Sequence, residues 1–152
     1  MASAREQADR LLEELGQRVG LDGLALDEDG HASLAFDEVL LSLDYDEGAE
    51  RLLVSAPLGR PLADPAEVYG RMLDANFLWS GTGGATLART PGTGVNVLIR
   101  ALGADELEIS RLEAALQSFI DIAEAWIRGL AEEEPALAPQ VAAPLTGIFI
   151  RG

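Results

Sequence analysis

The stretch Val39-Leu40-Leu41-Ser42-Leu43-Asp44-Tyr45-Asp46 decides the fold class, because apolar and polar residues alternate along it. Every second residue from Val39 to Tyr45 is apolar and faces one side of an extended backbone, while the residues between them face the other side. A period of two over this length predicts a strand with one buried face. The strand therefore belongs to a sheet that helices cover on one side and that is open on the other.

The flanking sequence predicts further strands between amphipathic helices. Ser3 and Glu6 form a capping box before the first helix, and Asp64 caps a second helix that ends at the Gly-rich stretch 81–84. Helices are predicted at Ala4–Val19, from Asp64 and at 106–130, and strands at His31–Phe36, Val39–Asp46, 51–58, Thr86–Arg89 and 95–101. The fold class is therefore α+β in the order α-β-β-β-α-β-β-α, a twisted antiparallel sheet backed by helices.

The composition excludes several classes of partner. The formal net charge is −15 over 152 residues, and all 11 basic residues are arginine. Nucleic acids and anionic membrane surfaces are repelled by such a protein, whereas basic partners are attracted to it. The alternative is that the charge only maintains solubility. The lack of cysteine fits the reducing cytoplasm, and no segment reaches the roughly 20 apolar residues of a membrane-spanning helix.

The sequence contains no recognisable catalytic constellation. His31 is the only histidine and stands next to acidic residues at a predicted strand start, without the sequence context of a nucleophile. The acidic turn 27–30 does not match a calcium-binding loop, and the glycine-rich stretches lack the features of a phosphate-binding loop. We expect no cofactor, no metal and no enzymatic activity. An enzyme that uses acidic residues is the alternative, and it would need a closed pocket with clustered carboxylates.

Four segments in a fixed order carry a resemblance to a known family. They are LALDEDG at 24–30 with ASLAF at 32–36, LDANF at 73–77, the Gly-rich stretch 81–89, and FIDIAEAW at 119–126. Together they resemble the CesT/Tir-type family of type III secretion chaperones, over about residues 4–130. The resemblance implies a homodimer in the bacterial cytoplasm that binds an extended segment of a secreted effector. It also implies an alternative role, because some members regulate secretion genes by sequestering a regulator protein; the opening segment is most similar to the anti-anti-activator type.

The resemblance suggests self-association through the second helix and the hairpin that follows it. The apolar residues predicted for this dimer interface are Met72, Leu73, Phe77 and Trp79. The alternative is that these side chains belong to the core of a single chain. No ATP is needed for binding an extended segment, because the contacts themselves offset the entropy that the segment loses.

Partner binding is predicted at the first helix, at the first three strands and at an exposed strand edge. Leu40, Leu53 and Leu98 lie on the faces opposite the predicted core, since Val97 and Ile99 are assigned to the buried face of the last strand. The full set of predicted partner-binding residues is Leu11, Leu15, Leu34, Leu40, Leu53 and Leu98. The alternative is that they are ordinary surface or core leucines.

The chain is predicted to have one domain and a tail. Residues 1–130 form the chaperone-like domain, and residues 131–152 form an extended tail with Pro135, Pro139 and Pro144. The tail ends in the β-prone sequence LTGIFIR at 145–151. We expect this segment to pair with an exposed sheet edge of its own chain or of a neighbour.

Overall fold

The fold follows the predicted order of helices and strands. A computed structural model describes residues 2–61, 64–103 and 107–131. Its elements are α1 (Ala4–Val19), β1 (His31–Phe36), β2 (Val39–Asp46), β3 (Arg51–Gly59), α2 (Pro65–Asn76), a 3-10 turn (Phe77–Trp79), β4 (Thr86–Arg89), β5 (Asn96–Leu102) and α3 (Ile109–Ala131). The prediction of an α+β fold is confirmed, and each strand boundary lies within one residue of its predicted position. The tail segment 132–152 lies outside the described residues.

The five strands form one antiparallel sheet in the order β1-β2-β3-β5-β4. The apolar stripes of α1 and α3 meet the buried face of this sheet, with Leu12 and Leu116 fully buried in a shared core. The opposite face, called the outer face below, carries exposed and half-buried residues such as Leu40 and Ser55. The helices therefore cover one side of the sheet, as the alternation in β2 indicates.

The ends of the helices are fixed by specific caps. The Ser3 hydroxyl accepts a hydrogen bond from the Glu6 amide at 3.1 Å, and the Glu6 carboxylate accepts one from the Ser3 amide at 2.7 Å. This confirms the predicted capping box. The predicted start of α3 at residue 106 is wrong for a local reason, since Glu108 caps the helix by accepting the Ser110 amide on its carboxylate and the Leu112 amide on its carbonyl.

The predicted buried face of β5 is wrong. Ala56 of β3 is opposite Leu98 of β5, and residues directly opposite each other in an antiparallel pair share a face. Because Ala56 is buried, Leu98 is drawn into the core, where it is 0% exposed. Val97 and Ile99 lie on the outer face instead and are half-buried. Both faces of β5 carry aliphatic residues, so its alternation alone could not decide between them.

The connection from α2 to β4 is tightly packed. α2 ends at Asn76, earlier than the Gly-rich stretch indicates, and the chain turns back so that the Gly81 amide donates to the Ala75 carbonyl at 2.9 Å. A methyl group on Gly81 would lie 2.6 Å from the Ala75 Cβ, which is closer than real carbon atoms approach. Glycine at 81 is therefore required for this turn.

We predict that Gly81→Ala destabilises the protein by about 1–3 kcal/mol, because the added methyl group overpacks the turn. Gly70→Ala in α2 is the matched control. Its added methyl group meets nothing within 4 Å, so the helix gains about 0.5–1 kcal/mol from the better helix former. Urea denaturation of both variants measures the two effects. A Gly81→Ala variant as stable as the control would contradict the described turn.

Candidate functional site

Four large apolar side chains are exposed where α2 ends. Leu73, Phe77, Leu78 and Trp79 are between 56% and 78% exposed. Contiguous apolar surface of this kind is uncommon on a monomer and marks contact surfaces. We call these four residues the apolar patch. Three of them were predicted for the dimer interface; the fourth predicted residue, Met72, is buried in the core beneath them.

The backbone of the apolar patch is held in an unusual conformation. Leu78 and Trp79 have φ values of 52° and 55°, in the left-handed region that side chains other than glycine rarely adopt. Such residues cost on the order of 1–3 kcal/mol each and persist only where neighbouring contacts enforce them. Here the Trp79 carbonyl accepts the amides of Thr82 and Gly83, at 3.3 and 3.1 Å. The turn thus holds the apolar side chains on the surface.

The β4 edge of the sheet is covered by a side chain. The Asn76 amide group accepts the Leu87 backbone N–H at 2.9 Å and donates to the Leu87 carbonyl at 3.0 Å. This pair of bonds reproduces what a neighbouring strand would make. The middle of β4 is therefore closed to an added strand, even though β4 is the last strand of the sheet.

Within residues 2–61, 64–103 and 107–131, nothing covers most of the β1 edge in the way that Asn76 covers β4. The His31 backbone N–H donates to the Asp27 carboxylate at 3.0 Å, and the His31 carbonyl accepts a hydrogen bond from the Asp27 amide at 2.8 Å. Both backbone groups of His31 therefore point away from β2 and have hydrogen-bond partners. Outward-facing residues recur every second position, which makes Ser33 and Ala35 the next two. Among the described residues, none bonds their backbone groups. We call these two residues the open edge.

His31 also has side-chain partners that the sequence analysis did not anticipate. Its Nδ1 lies 2.8 Å from the Asp44 carboxylate and its Nε2 lies 2.9 Å from the Ser33 hydroxyl. The residue types are those of a hydrolytic triad, but all three lie on the exposed outer face, where water competes for each bond. The i, i+2 spacing of His31 and Ser33 was the available signal, because it places both side chains on one face of β1. The network links β1 to β2 across the outer face.

The predicted partner-binding leucines divide between surface and core. Leu40 is 51% exposed on the outer face, and Leu53 and Leu11 are half-buried. Leu15, Leu34 and Leu98 are buried, so their side chains are inaccessible on the described chain. For Leu98 the reason is its register with β3, as given above. Leu40 is the cross-strand neighbour of Ala35, which brings an accessible apolar side chain next to the open edge.

A cleft of about 480 Å³ lies between α1 and the loop that leads to β1. Leu21 and Leu24 line its base, and Asp9, Glu13 and Asp22 contribute carboxylates. No three potential metal-ligating side chains converge anywhere in residues 2–61, 64–103 and 107–131. The cleft combines apolar and acidic surface close to the start of β1.

The charges are distributed unevenly along the chain. Residues 1–59, which include α1 and β1–β3, contain fourteen acidic residues and four arginines. Residues 60–103, which include the apolar patch, contain three acidic residues and four arginines. The segment that contains the open edge is therefore strongly acidic, whereas the segment that contains the apolar patch is close to neutral.

Comparison with known proteins identifies this arrangement. The model of the Tir chaperone protein (CesT) family matches residues 10–127, which is most of the described fold. The chain belongs to the CesT family. This is a family of type III secretion chaperones and not of enzymes, so the Ser33–His31–Asp44 network is a structural feature. In the described part of the chain, no helix is long and apolar enough to cross a membrane.

Individual CesT-family relatives agree with this assignment. The transcriptional anti-antiactivator ExsC of Pseudomonas aeruginosa is 32% identical over 123 residues, which cover 80% of this chain and 84% of ExsC. The crystal structure of the ExsC–ExsE complex matches with a TM-score of 0.76 and 31% identity, over 85% of this chain and 97% of that chain. The chaperone–effector complex of HopA1 and SchA shares the fold at a TM-score of 0.67 and 18% identity, over 86% and 97% of the two chains.

Acidic side chains of α3 lie close to the turn between β1 and β2. Burial raises the pKa of Glu124 above its usual value, and the negative charges of Asp121, Asp37 and Glu38 raise it further, against the opposing effect of Arg128. When the pKa of a carboxyl is raised on folding, its ionised form has a higher free energy in the folded protein than in the unfolded chain, relative to the protonated form. Its ionised form therefore lowers stability at neutral pH, and this cost disappears as the pH falls below the unfolded value of 4.5.

We predict that Glu124→Gln stabilises the protein at pH 7, by less than about 1 kcal/mol because water screens the half-buried site. The gain should diminish on acidification and vanish below about pH 4, where the wild-type carboxyl is protonated in both states. Glu28→Gln, in the exposed acidic loop, is the control for removing one negative charge. Thermal unfolding midpoints at several pH values measure the difference; a gain independent of pH would contradict the electrostatic explanation.

Proposed function

We propose that this CesT-family chain is a cytoplasmic bacterial type III secretion chaperone that binds an extended segment of an effector or secreted regulator without ATP. The observation that carries the proposal is the open edge at Ser33 and Ala35. Its backbone groups face away from β2, and an extended segment can pair with them as an added strand. The bound segment is thereby kept unfolded and ready for secretion.

Hydrogen bonds alone do not account for this binding. Pairing with Ser33 and Ala35 yields up to four hydrogen bonds, each contributing about 1 kcal/mol net. Association costs on the order of 4–15 kcal/mol in lost freedom of movement, and ordering the segment costs more. Apolar contacts must therefore supply most of the free energy. Leu40 lies beside the open edge to provide them, and Leu53 and Leu11 add half-buried aliphatic surface.

The acidic surface defines the chemistry of the partner segment. With fourteen acidic residues and four arginines in residues 1–59, this half of the chain attracts a segment that contains lysine or arginine. An extended segment that alternates apolar and basic residues fits both the open edge and its surroundings. Acidic segments are repelled, which contributes to specificity.

The apolar patch is the proposed homodimer interface. Leu73, Phe77 and Trp79 are exposed on one chain, and a two-fold axis through the patch would bury them against the same residues of a second copy. The near-neutral charge of residues 60–103 permits this contact between two chains that each carry −15. Met72, the fourth residue predicted for this interface, is buried in the core.

A second function is favoured by one comparison. Because a relative that is 32% identical is a transcriptional anti-antiactivator, the alternative is that this chain regulates secretion genes by sequestering an antiactivator protein. Both functions use the same open edge and differ in the partner. Co-expression with the products of neighbouring genes, followed by purification of the tagged chain and mass spectrometry, separates them. Capture of an effector or of a secreted regulator supports export, and capture of an antiactivator protein supports sequestration.

We predict that Phe77→Asp converts the dimer to a monomer. Loss of an anchoring aromatic residue costs about 2 kcal/mol of binding free energy. Because the residue occurs once on each chain of a two-fold interface, the total cost is about 4 kcal/mol, and the dissociation constant should rise about 1,000-fold. Multi-angle light scattering measures the mass, and circular dichroism checks that the variant is folded. Leu40→Asp is the matched control, because it places the same charge at another exposed apolar site and should leave the dimer intact. A dimeric Phe77→Asp variant would refute the proposed interface.

We predict that Ala35→Pro and Leu40→Asp each weaken partner capture at least tenfold while the fold and the dimer remain. Proline at 35 removes an N–H that points away from β2, so the β1–β2 ladder keeps its hydrogen bonds. Aspartate at 40 removes an apolar contact from the outer face. Quantitative pull-down of the identified partner measures both losses. Undiminished capture by Ala35→Pro would exclude strand addition at the open edge.

A further inference from the structure

The two edges of the sheet differ in whether their backbone groups have hydrogen-bond partners, and one segment of the same chain has the sequence of a strand that could pair with the open edge. The Asn76 amide satisfies the middle of β4, whereas Ser33 and Ala35 of β1 face outward. We propose that residues 145–151 of the same chain add as a sixth strand along β1 and compete there with the partner segment. This inference rests on the proposed function, since it assigns an intramolecular competitor to the same open edge.

The sequence of 145–151, LTGIFIR, has the properties of an added strand. It is rich in β-branched and aromatic residues and contains neither proline nor an acidic residue. Either alternating set of its side chains includes large apolar groups, Leu145 and Phe149 in one and Ile148 and Ile150 in the other. The segment can therefore present an apolar contact to Leu40 whichever way it faces.

The connecting chain is long enough to reach the open edge. α3 ends at Ala131 and packs against β2, which is the strand next to β1 in the sheet. The thirteen residues 132–144 span up to about 43 Å when extended, at roughly 3.3 Å per residue. β1 itself, with six residues, is only about 20 Å long. Every point of the open edge is within reach.

Tethering makes even a weak contact effective. A tether that can span the two sites gives an effective concentration of the order of millimolar, so a strand that binds with a millimolar dissociation constant occupies the edge for about half of the time, and one that binds tenfold more tightly for about nine-tenths of it. Charge adds to this, because Arg151 is the basic residue of the segment, whereas residues 1–59, which include β1, carry an excess of ten negative charges. A partner segment must displace the strand, which lowers its apparent affinity about two- to tenfold.

Hydrogen exchange of backbone amides in the full chain tests the proposal without any partner. The test variant is Ile148→Pro with Phe149→Pro, since neighbouring residues of a strand point to opposite sides and one of the two prolines must remove an N–H that faces β1. Ala142→Pro with Ala143→Pro is the matched control in the connecting segment. We expect the test variant to exchange the Ser33 and Ala35 amides two- to tenfold faster than the wild type, which corresponds to an edge that is occupied for half to nine-tenths of the time. Ala32 and Leu34, which pair with β2, should not change.

A mixed sample establishes which copy supplies the strand. ¹⁵N-labelled wild-type chain is equilibrated with excess unlabelled test variant, and exchange is followed in the labelled chain. Undiminished protection of Ser33 and Ala35 supports a strand from the same chain, whereas lost protection shows that a second copy donates it and overturns the proposal. Equally fast exchange in wild type and test variant also overturns it. If protection is found but Ala35→Pro still captures the partner fully, the addition of residues 145–151 to β1 stands, whereas the proposed use of the open edge by the partner, and with it the competition, fails.

Discussion

The register between β3 and β5 is the constraint on which the architecture depends. It joins the N-terminal three-stranded meander to the C-terminal hairpin, and it places Ala56 opposite Leu98 on the buried face. Once that pair is fixed, every residue of both strands is assigned to the core or to the outer face, because a shift by one residue would exchange the faces. The helices α1 and α3 then have one surface on which to bury their apolar stripes, and the outer face is left for contacts.

The two edges of the sheet differ, and the proposed binding depends on that difference. A single side chain, Asn76, satisfies Leu87 on β4, and the same residue closes α2 just before the turn that exposes Phe77 and Trp79. One corner of the molecule thus protects an edge and presents the apolar patch. The other edge retains the backbone groups of Ser33 and Ala35. The division separates the surface proposed for self-association from the surface proposed for the partner.

Local patterns in the sequence predicted most of the fold. Alternation in β2 and the capping box of α1 are decided by neighbouring residues, so they could be identified without tertiary information. The buried face of β5 could not, since both of its faces are aliphatic and only its pairing with Ala56 distinguishes them. The start of α3 was placed too early, because the sequence pattern does not show that Glu108 binds the Ser110 and Leu112 amides and so begins the helix at Ile109. Local pattern was sufficient where neighbouring residues alone determine the structure, and insufficient where pairing with a distant strand determines it.

The candidate site was predicted in part for the same reason. The exposed residues of the apolar patch follow from hydrophobicity beyond the end of α2, but Leu78 was missed because its left-handed backbone turns it outward, which no periodicity indicates. The open edge follows from strand order, and strand order follows from long-range pairing. Leu15 and Leu34 were assigned to partner binding from their position in amphipathic elements, whereas burial places them in the core. Exposure of an apolar residue is a property of the tertiary structure.

The cover that Asn76 places over β4 also limits how these sheets can assemble with one another. A sheet with two free edges can be extended at both ends, and repeated head-to-tail pairing produces a fibril. With the middle of β4 closed, pairing through β1 of one molecule can meet only β1 of another, and the resulting pair has no central free edge left for growth. A protein with an unpaired β1 edge is in this way protected by one amide group from growing into one continuous β-sheet.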